Sequence, residues 1–195
     1  MNDDEEEFGA SSDDVPSDWN RQLLTFWFED HGFSDWFRGG EAFDEKVRAA
    51  FSGWWHALQA QPADAFLRDA QSALAAIILF DQVPRNIFRG SADAFATDTL
   101  ALAMARHGLE LGLDAGLETD QRLFFYLPFE HSEDLDDQHT SVRLITALGN
   151  ADYLDFAKKH CAIIEQFGRF PHRNAVLGRA DRPGEEQAMR QGEGW

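Results

Sequence analysis

A single cysteine, Cys161, leaves the chain without any internal disulfide, so nothing in it calls for an oxidising compartment. It sits in the apolar stretch C-A-I-I, where an inert, buried thiol is expected rather than a nucleophile. Basic residues are scarce. The 17 Lys and Arg against 35 Asp and Glu give a formal net charge of −18, a field that repels phosphate backbones and anionic lipid surfaces. Nucleic acid and membrane are therefore not expected partners. Long apolar runs are missing too: the longest, residues 73–80, has eight residues, against the ~20 that a bilayer span needs. The acidic start has none of the basic and apolar character of a secretory signal, so a cytoplasmic location is expected. Strand-like alternation with β-branched enrichment is absent, as are a G-x-S-x-G elbow, a phosphate-cradling Gly loop and a dinucleotide fingerprint. The carboxylate- and histidine-rich run E-H-S-E-D-L-D-D-Q-H (130–139) matches no metal-ligand spacing, and neither metal nor cofactor is expected.

What is present is aromatic side chains, 17 of them Phe, arranged at helical spacing. Residues 1–16 combine Asp, Glu, Ser and Gly with little to bury and read as a disordered acidic tail. Residues 17–195 read as one all-helical domain. A first helix runs through Trp19, Leu23, Phe26 and Trp27, and a second through Phe43, Val47, Phe51, Trp54 and Leu58. A third starts near Pro62, passes Phe66, Ala70, Leu74, Ile77 and Ile78, and should stop at Pro84. Residues 91–111 form a fourth. Thr119 is placed to cap a fifth, which Pro128 ends or kinks. The sixth covers 138–148, the seventh runs from Tyr153 to its stop at Gly168, and a short last helix begins near Pro183. Short connectors favour antiparallel neighbours, and hence stacked helical hairpins, about seven to eight helices in all.

Two helix ends echo each other. D-Q-V-P-R-N-I-F-R (81–89) and E-Q-F-G-R-F-P-H-R (165–173) align at an offset of 84 residues, each with a carboxylate, a Gln, an apolar residue, a breaker and an Arg, then a second Arg four residues on. Guanidinium forks at such ends either satisfy helix carbonyls and nearby acids or grip a carboxylate or phosphate bidentately. Polar groups concentrated in these turns point to a pocket for a small anionic ligand, with Asp81, Arg85, Asn86, Arg89, Arg169, His172, Arg173 and Asn174 as candidate ligand-binding residues. A third broken helix, Y-L-P-F-E-H-S-E-D (126–134), supplies candidate catalytic residues: His131 as general base, with Glu133 or Asp81 orienting it. The alternative is a helical-repeat scaffold that holds a peptide or protein partner in its groove.

L-x-F-W-F (24–28), L-F-D-Q-V-P-R-N-I-F-R-G (79–90), L-P-F-E-H-S-E (127–133) and G-R-F-P-H-R-N-A-V-L-G-R (168–179) together resemble a bacterial family catalogued as domain of unknown function 924. The resemblance implies an all-α, right-handed superhelix similar to tetratricopeptide repeats, and no particular activity. After Arg179 the chain departs from the family pattern, with A-D-R-P-G-E-E in place of the usual Ser/Thr and acidic pair, which bears on how the last helix docks. Because residues 1–16 offer so little to a core, removing them is expected to leave the melting temperature nearly unchanged in a thermal unfolding scan. A drop on the order of 5 °C or more would mean that the segment docks.

Overall fold

Apolar side chains at helical spacing must bury one stripe against a neighbour, and the resulting architecture is helix upon helix. The structure, a computed structural model, describes residues 15–186 and Met189. In chain order the helices are α1 (Trp19–Thr25), α2 (Phe33–Arg38), α3 (Gly40–Leu58), α4 (Ala70–Ile77), α5 (Val83–Ile87), α6 (Asp98–Glu110), α7 (Thr119–His131), α8 (Leu135–Thr146) and α9 (Ala151–Phe167). Wider π-helical turns extend α1 (Phe26–Asp30) and join α4 to α5 (Ile78–Gln82). Among the described residues there is no strand. The helices pack stepwise, α3 on α5, α4 on α6, α6 on α7, α7 on α8 and α8 on α9, an arrangement that fits stacked tetratricopeptide-like hairpins. Where α6 meets α7 the approach is close: a Cβ added at Gly108 of α6 would fall 2.6 Å from the ring of Phe125 on α7.

The expected acidic tail lies outside the described residues except for Val15, which packs on the core, and Pro16, whose carbonyl accepts from the Trp19 N–H at 3.0 Å. The central element is the run 73–80, fully buried on every side. An all-round apolar helix belongs in the middle of a core, and α1, α6 and α7 pack around it.

Several boundaries differ from the sequence reading, each for a local reason. The helix expected from Pro62 breaks at Asp69, whose carboxylate accepts the Ser72 N–H at 2.8 Å and caps α4; the preceding residues form only a 3₁₀ turn, Ala63–Phe66. Residues 91–111 split likewise into a 3₁₀ turn (Ala92–Phe95) and α6. Thr119 is the first helical residue rather than the cap; the Gln121 side chain accepts the Glu118 N–H at 3.2 Å. The α8 helix starts earlier than 138 because Asp134 caps it, accepting the N–H groups of Asp136 and Asp137. Pro128 does not end α7, which continues to His131. Gly168 closes α9 in the left-handed conformation (φ 66°), as its position implied. The last helix begins at Glu185, and most of the chain beyond Glu186 lies outside the described residues. The sequence reading missed α2, which has six residues and buries none of them.

Pro84 does not stop its helix either. It brings no N–H to the π turn before it, and three successive carbonyls there take side-chain donors: Phe80 from the Thr97 hydroxyl (2.6 Å), Asp81 from Arg85 (2.6 Å) and Gln82 from Asn86 (2.9 Å). Thr97 in turn accepts from the Trp55 indole N–H at 3.1 Å, so one buried hydroxyl ties α3 to the π turn. Thr97→Val strands both partners in the core and is expected to cost about 1–3 kcal/mol in urea unfolding, whereas Thr97→Ser keeps the hydroxyl and recovers most of it. Equal stability for the Val and Ser variants would show that this hydroxyl is not needed.

Candidate functional site

The π turn and α5 present Asp81 and Arg85, the end of α7 presents Glu130 and His131, and the first turn of α6 presents Asp98. A 3₁₀ turn after α9 (Pro171–Arg173) brings His172 and Arg173 to the same place. Asp81 is wholly buried, and its two carboxylate oxygens lie 2.8 and 2.9 Å from Nδ1 of His131, with the Gln82 amide donating at 2.6 Å. Burial works against its charge, but Arg85 (3.6 Å) and His131 outweigh burial and hold the carboxyl well below the usual range. Burial and then Arg85 push the His131 imidazolium down, with Asp81 opposing. The pair at neutral pH is therefore an ionised Asp81 that accepts the Nδ1 proton of a neutral His131, which leaves the lone pair on Nε2.

Arg85 grips Asp98 with both arms (2.7 and 3.0 Å), and Nη1 of Arg173 stands 3.7 Å from the same carboxylate. The Arg173 guanidinium lies between the rings of Phe95 (4.7 Å) and Phe170 (4.4 Å). It is buried, and its Nε has no hydrogen-bond partner among the described residues. Burial and then the neighbouring Arg85 pull its pKa down to about 10. Beside it, partial burial and the Arg173 charge push His172 down to about 4.

Behind His131 lies a second titratable pair. Glu130 is buried, and burial, helped by the Asp81 charge, pushes it up to about 8, while burial pushes His160 down to about 4. Their contact, Glu130 Oε1 to His160 Nδ1 at 3.3 Å, therefore joins two neutral groups at neutral pH rather than an ion pair. The same nitrogen is 3.0 Å from the Phe156 carbonyl, which places its proton there.

Two cavities flank these imidazoles. One, about 330 Å³, is lined by Arg85, Phe95, His172 and Arg173; the other, about 360 Å³, by the apolar side chains of Phe33, Phe37, Leu123, Leu127 and Phe156. His131 and His160 line both, and no other residue does. A larger hollow of about 650 Å³ over α2 and α3 is lined by the ion pairs Arg48–Glu45 and Arg89–Asp44 together with Asp35, Arg38 and Glu41, and His131 is not among its lining residues.

The two arginine turns do meet, though through different partners than their alignment suggests. The echo pairs Arg85 with Arg169, whereas the structure sets Arg85 beside Arg173 across Asp98. Arg169 grips Glu185 (2.8 and 2.7 Å), and Asn174 donates to Glu185 and Asp181 in the same cluster, which seats the last helix. Arg89 is paired with Asp44 of α3 (2.5 and 2.7 Å) at the cavity's outer edge, and Asn86 is spent on the Gln82 carbonyl. Glu133 does not orient His131. It accepts from the Phe170 N–H (2.7 Å) and from Arg179 (2.7 and 3.0 Å), so it positions the turn that carries Arg173. Asp98, Phe95, Glu130 and His160 were missed as site residues. His160 did leave a signal, as an ionisable residue on the apolar face of α9; Asp98 looks like any acidic residue in a helix's first turn. Elsewhere, His139, Cys161 and Glu165 bring ligand atoms within 4.8 Å of one another on α8 and α9, but burial raises the thiol pKa and disfavours the thiolate a metal would need.

The sequence profile of a bacterial protein family of unknown function, DUF924, matches residues 23–193. A solved structure of a protein of unknown function, ATU0120 from Agrobacterium tumefaciens, is similar with a TM-score of 0.83 at 39% identity, covering 89% of this chain and 97% of that one. No curated protein sequence matches.

Glu130 makes the site's electrostatics measurable. Its folded pKa of about 8 lies above the ordinary 4.5, so its contribution to stability is complete below pH 4.5, declines as the unfolded chain ionises, and is lost by about pH 8. Urea unfolding across that window should show wild type losing stability relative to Glu130→Gln by up to ~1.4 kcal/mol per pH unit. Parallel pH profiles for the two proteins would mean that Glu130 is ionised in the fold.

Proposed function

The chain belongs to the bacterial family of unknown function DUF924, and on that footing we propose that the cleft between α5, α6, α7 and the 170s turn binds a small anionic molecule, with His131 poised as a general base. The observation that carries this reading is the buried Arg173 guanidinium. Its Nε is unpartnered, and it lines one cavity with the Asp81-oriented imidazole. A buried donor without an acceptor costs the fold free energy, and the same guanidinium lines the cavity, where a carboxylate or phosphate oxygen accepts from its outer nitrogens in a charge-assisted bond. Arg85, already held by Asp98 and the Asp81 carbonyl, adds positive potential and keeps Asp81 ionised. His131, neutral with its lone pair on Nε2, is in the form that takes a proton from a bound hydroxyl, acid or water.

The distribution of exposed apolar side chains favours a small molecule over a peptide-binding scaffold. Phe33, Phe37 and Phe156 gather at one cavity mouth, while Leu111, Leu135 and Leu177 lie outside both cavities, and among the described residues no ladder runs down successive helices.

Thermal unfolding in the presence of inorganic phosphate and acetate tests the anion site, because a ligand confined to the native state raises the transition temperature with its concentration. Arg173→Gln should abolish that rise. Arg169→Gln, which breaks the Glu185 pairing, should lower the starting stability yet leave the rise intact. Arg85→Ala uncovers the buried Asp81 carboxylate and the partly exposed Asp98, and should cost the empty protein about 3–5 kcal/mol. A full anion-induced shift in Arg173→Gln would overturn the assignment.

A further inference from the structure

The cationic cavity is one of two that His131 and His160 line. On the other side of these two rings is an apolar cavity of similar size, walled by α2, α7 and α9. Three of the large side chains left partly in solvent, Phe33, Phe37 and Phe156, at 40, 44 and 38% exposure, converge on it. Phe33 and Phe37 pack on each other with ring centroids 4.9 Å apart, so they form one apolar lip rather than scattered surface residues. Glu130, which lines the cavity, holds its proton at neutral pH, and the one charged side chain there, Arg38, lies with its guanidinium 6.0 Å from the Phe33 ring centre.

We infer that the ligand is a two-part amphipathic anion: an aryl or medium-chain alkyl carboxylate or phosphate monoester, with its oxyanion at Arg173 and its apolar body crossing the His131–His160 pair into the cavity under α2. This rests on the anion reading above and names its substrate class. Two further observations support it. A chain of net charge −18 repels a bare anion from a distance, so apolar contact has to supply much of the affinity. Each cavity alone is at the low end of ligand-site volumes, and the two together reach the usual range.

Titration calorimetry on the full chain with acetate, butyrate, hexanoate and octanoate, with octan-1-ol as the uncharged control, tests the inference. Affinity should rise by roughly fifteenfold per pair of methylenes at full burial. Octanol should bind far more weakly than octanoate. Phe37→Ala and Phe156→Ala, at partly exposed positions that the fold tolerates, should flatten the series and leave acetate unchanged. Acetate and octanoate binding equally, both abolished by Arg173→Gln, would overturn the two-part ligand and leave the anion site standing. Chain-length-dependent binding indifferent to Arg173→Gln would overturn the anion site and the two-part ligand with it. Absence of binding across the series, with inorganic phosphate also inert, would overturn both.

Discussion

The Asp81 carboxylate has no exposure to solvent and stands at the end of an eight-residue run in which every side chain is buried and apolar. A lone charge there would be prohibitively costly. Its neighbourhood is built to keep it ionised: Arg85 one turn on, Gln82 beside it and His131 from α7 each supply a proton or a positive charge. Those partners bring obligations of their own. Arg85 needs Asp98, which fixes the first turn of α6; Asp98 in turn attracts Arg173, which brings the segment after α9 back across the bundle. The convergence of four chain segments on one cleft comes from satisfying one buried charge.

Much of the helical layout was readable because it rests on periodic burial. The runs through Trp19 and Phe43, and the α9 run ending at Gly168, are set by residues within a few turns of one another. What sequence reasoning misplaced depends on contacts between distant residues. Pro84 reads as a helix stop because its missing N–H is local, whereas the donors that offset it come partly from Thr97, thirteen residues on. Thr97 carries no mark of that role. The α2 helix was overlooked although Phe33, Trp36 and Phe37 stand at helical spacing, because six residues between Gly32 and Gly39 are too short a run to stand out.

The candidate site was legible in part. The concentration of Arg, His and carboxylate at broken helix ends drew attention to Arg85, His131 and Arg173, which the fold brings together. Alignment of the two arginine turns suggested that like positions would share a role, yet Arg169 faces Glu185 and Arg173 faces the cleft. The first turn is a continuing helix and the second a 3₁₀ turn after a left-handed glycine, so equal spacing along the chain gives different directions in space. Fold similarity to another protein of unknown function carries no chemistry with it, so a function has to be argued from the site rather than from the fold.

Asp98 also bears on how the cleft comes into being during synthesis. Its two arginine partners lie 13 residues before it and 75 after it, and the earlier one takes the bidentate position. A chain emerging from the ribosome can thus neutralise Arg85 and Asp98 against each other long before Arg173 exists. Arg173, arriving last to a carboxylate already taken, is left with a distant share of Asp98 and a free Nε. The geometry of the finished fold leaves this cation with bonding capacity to spare.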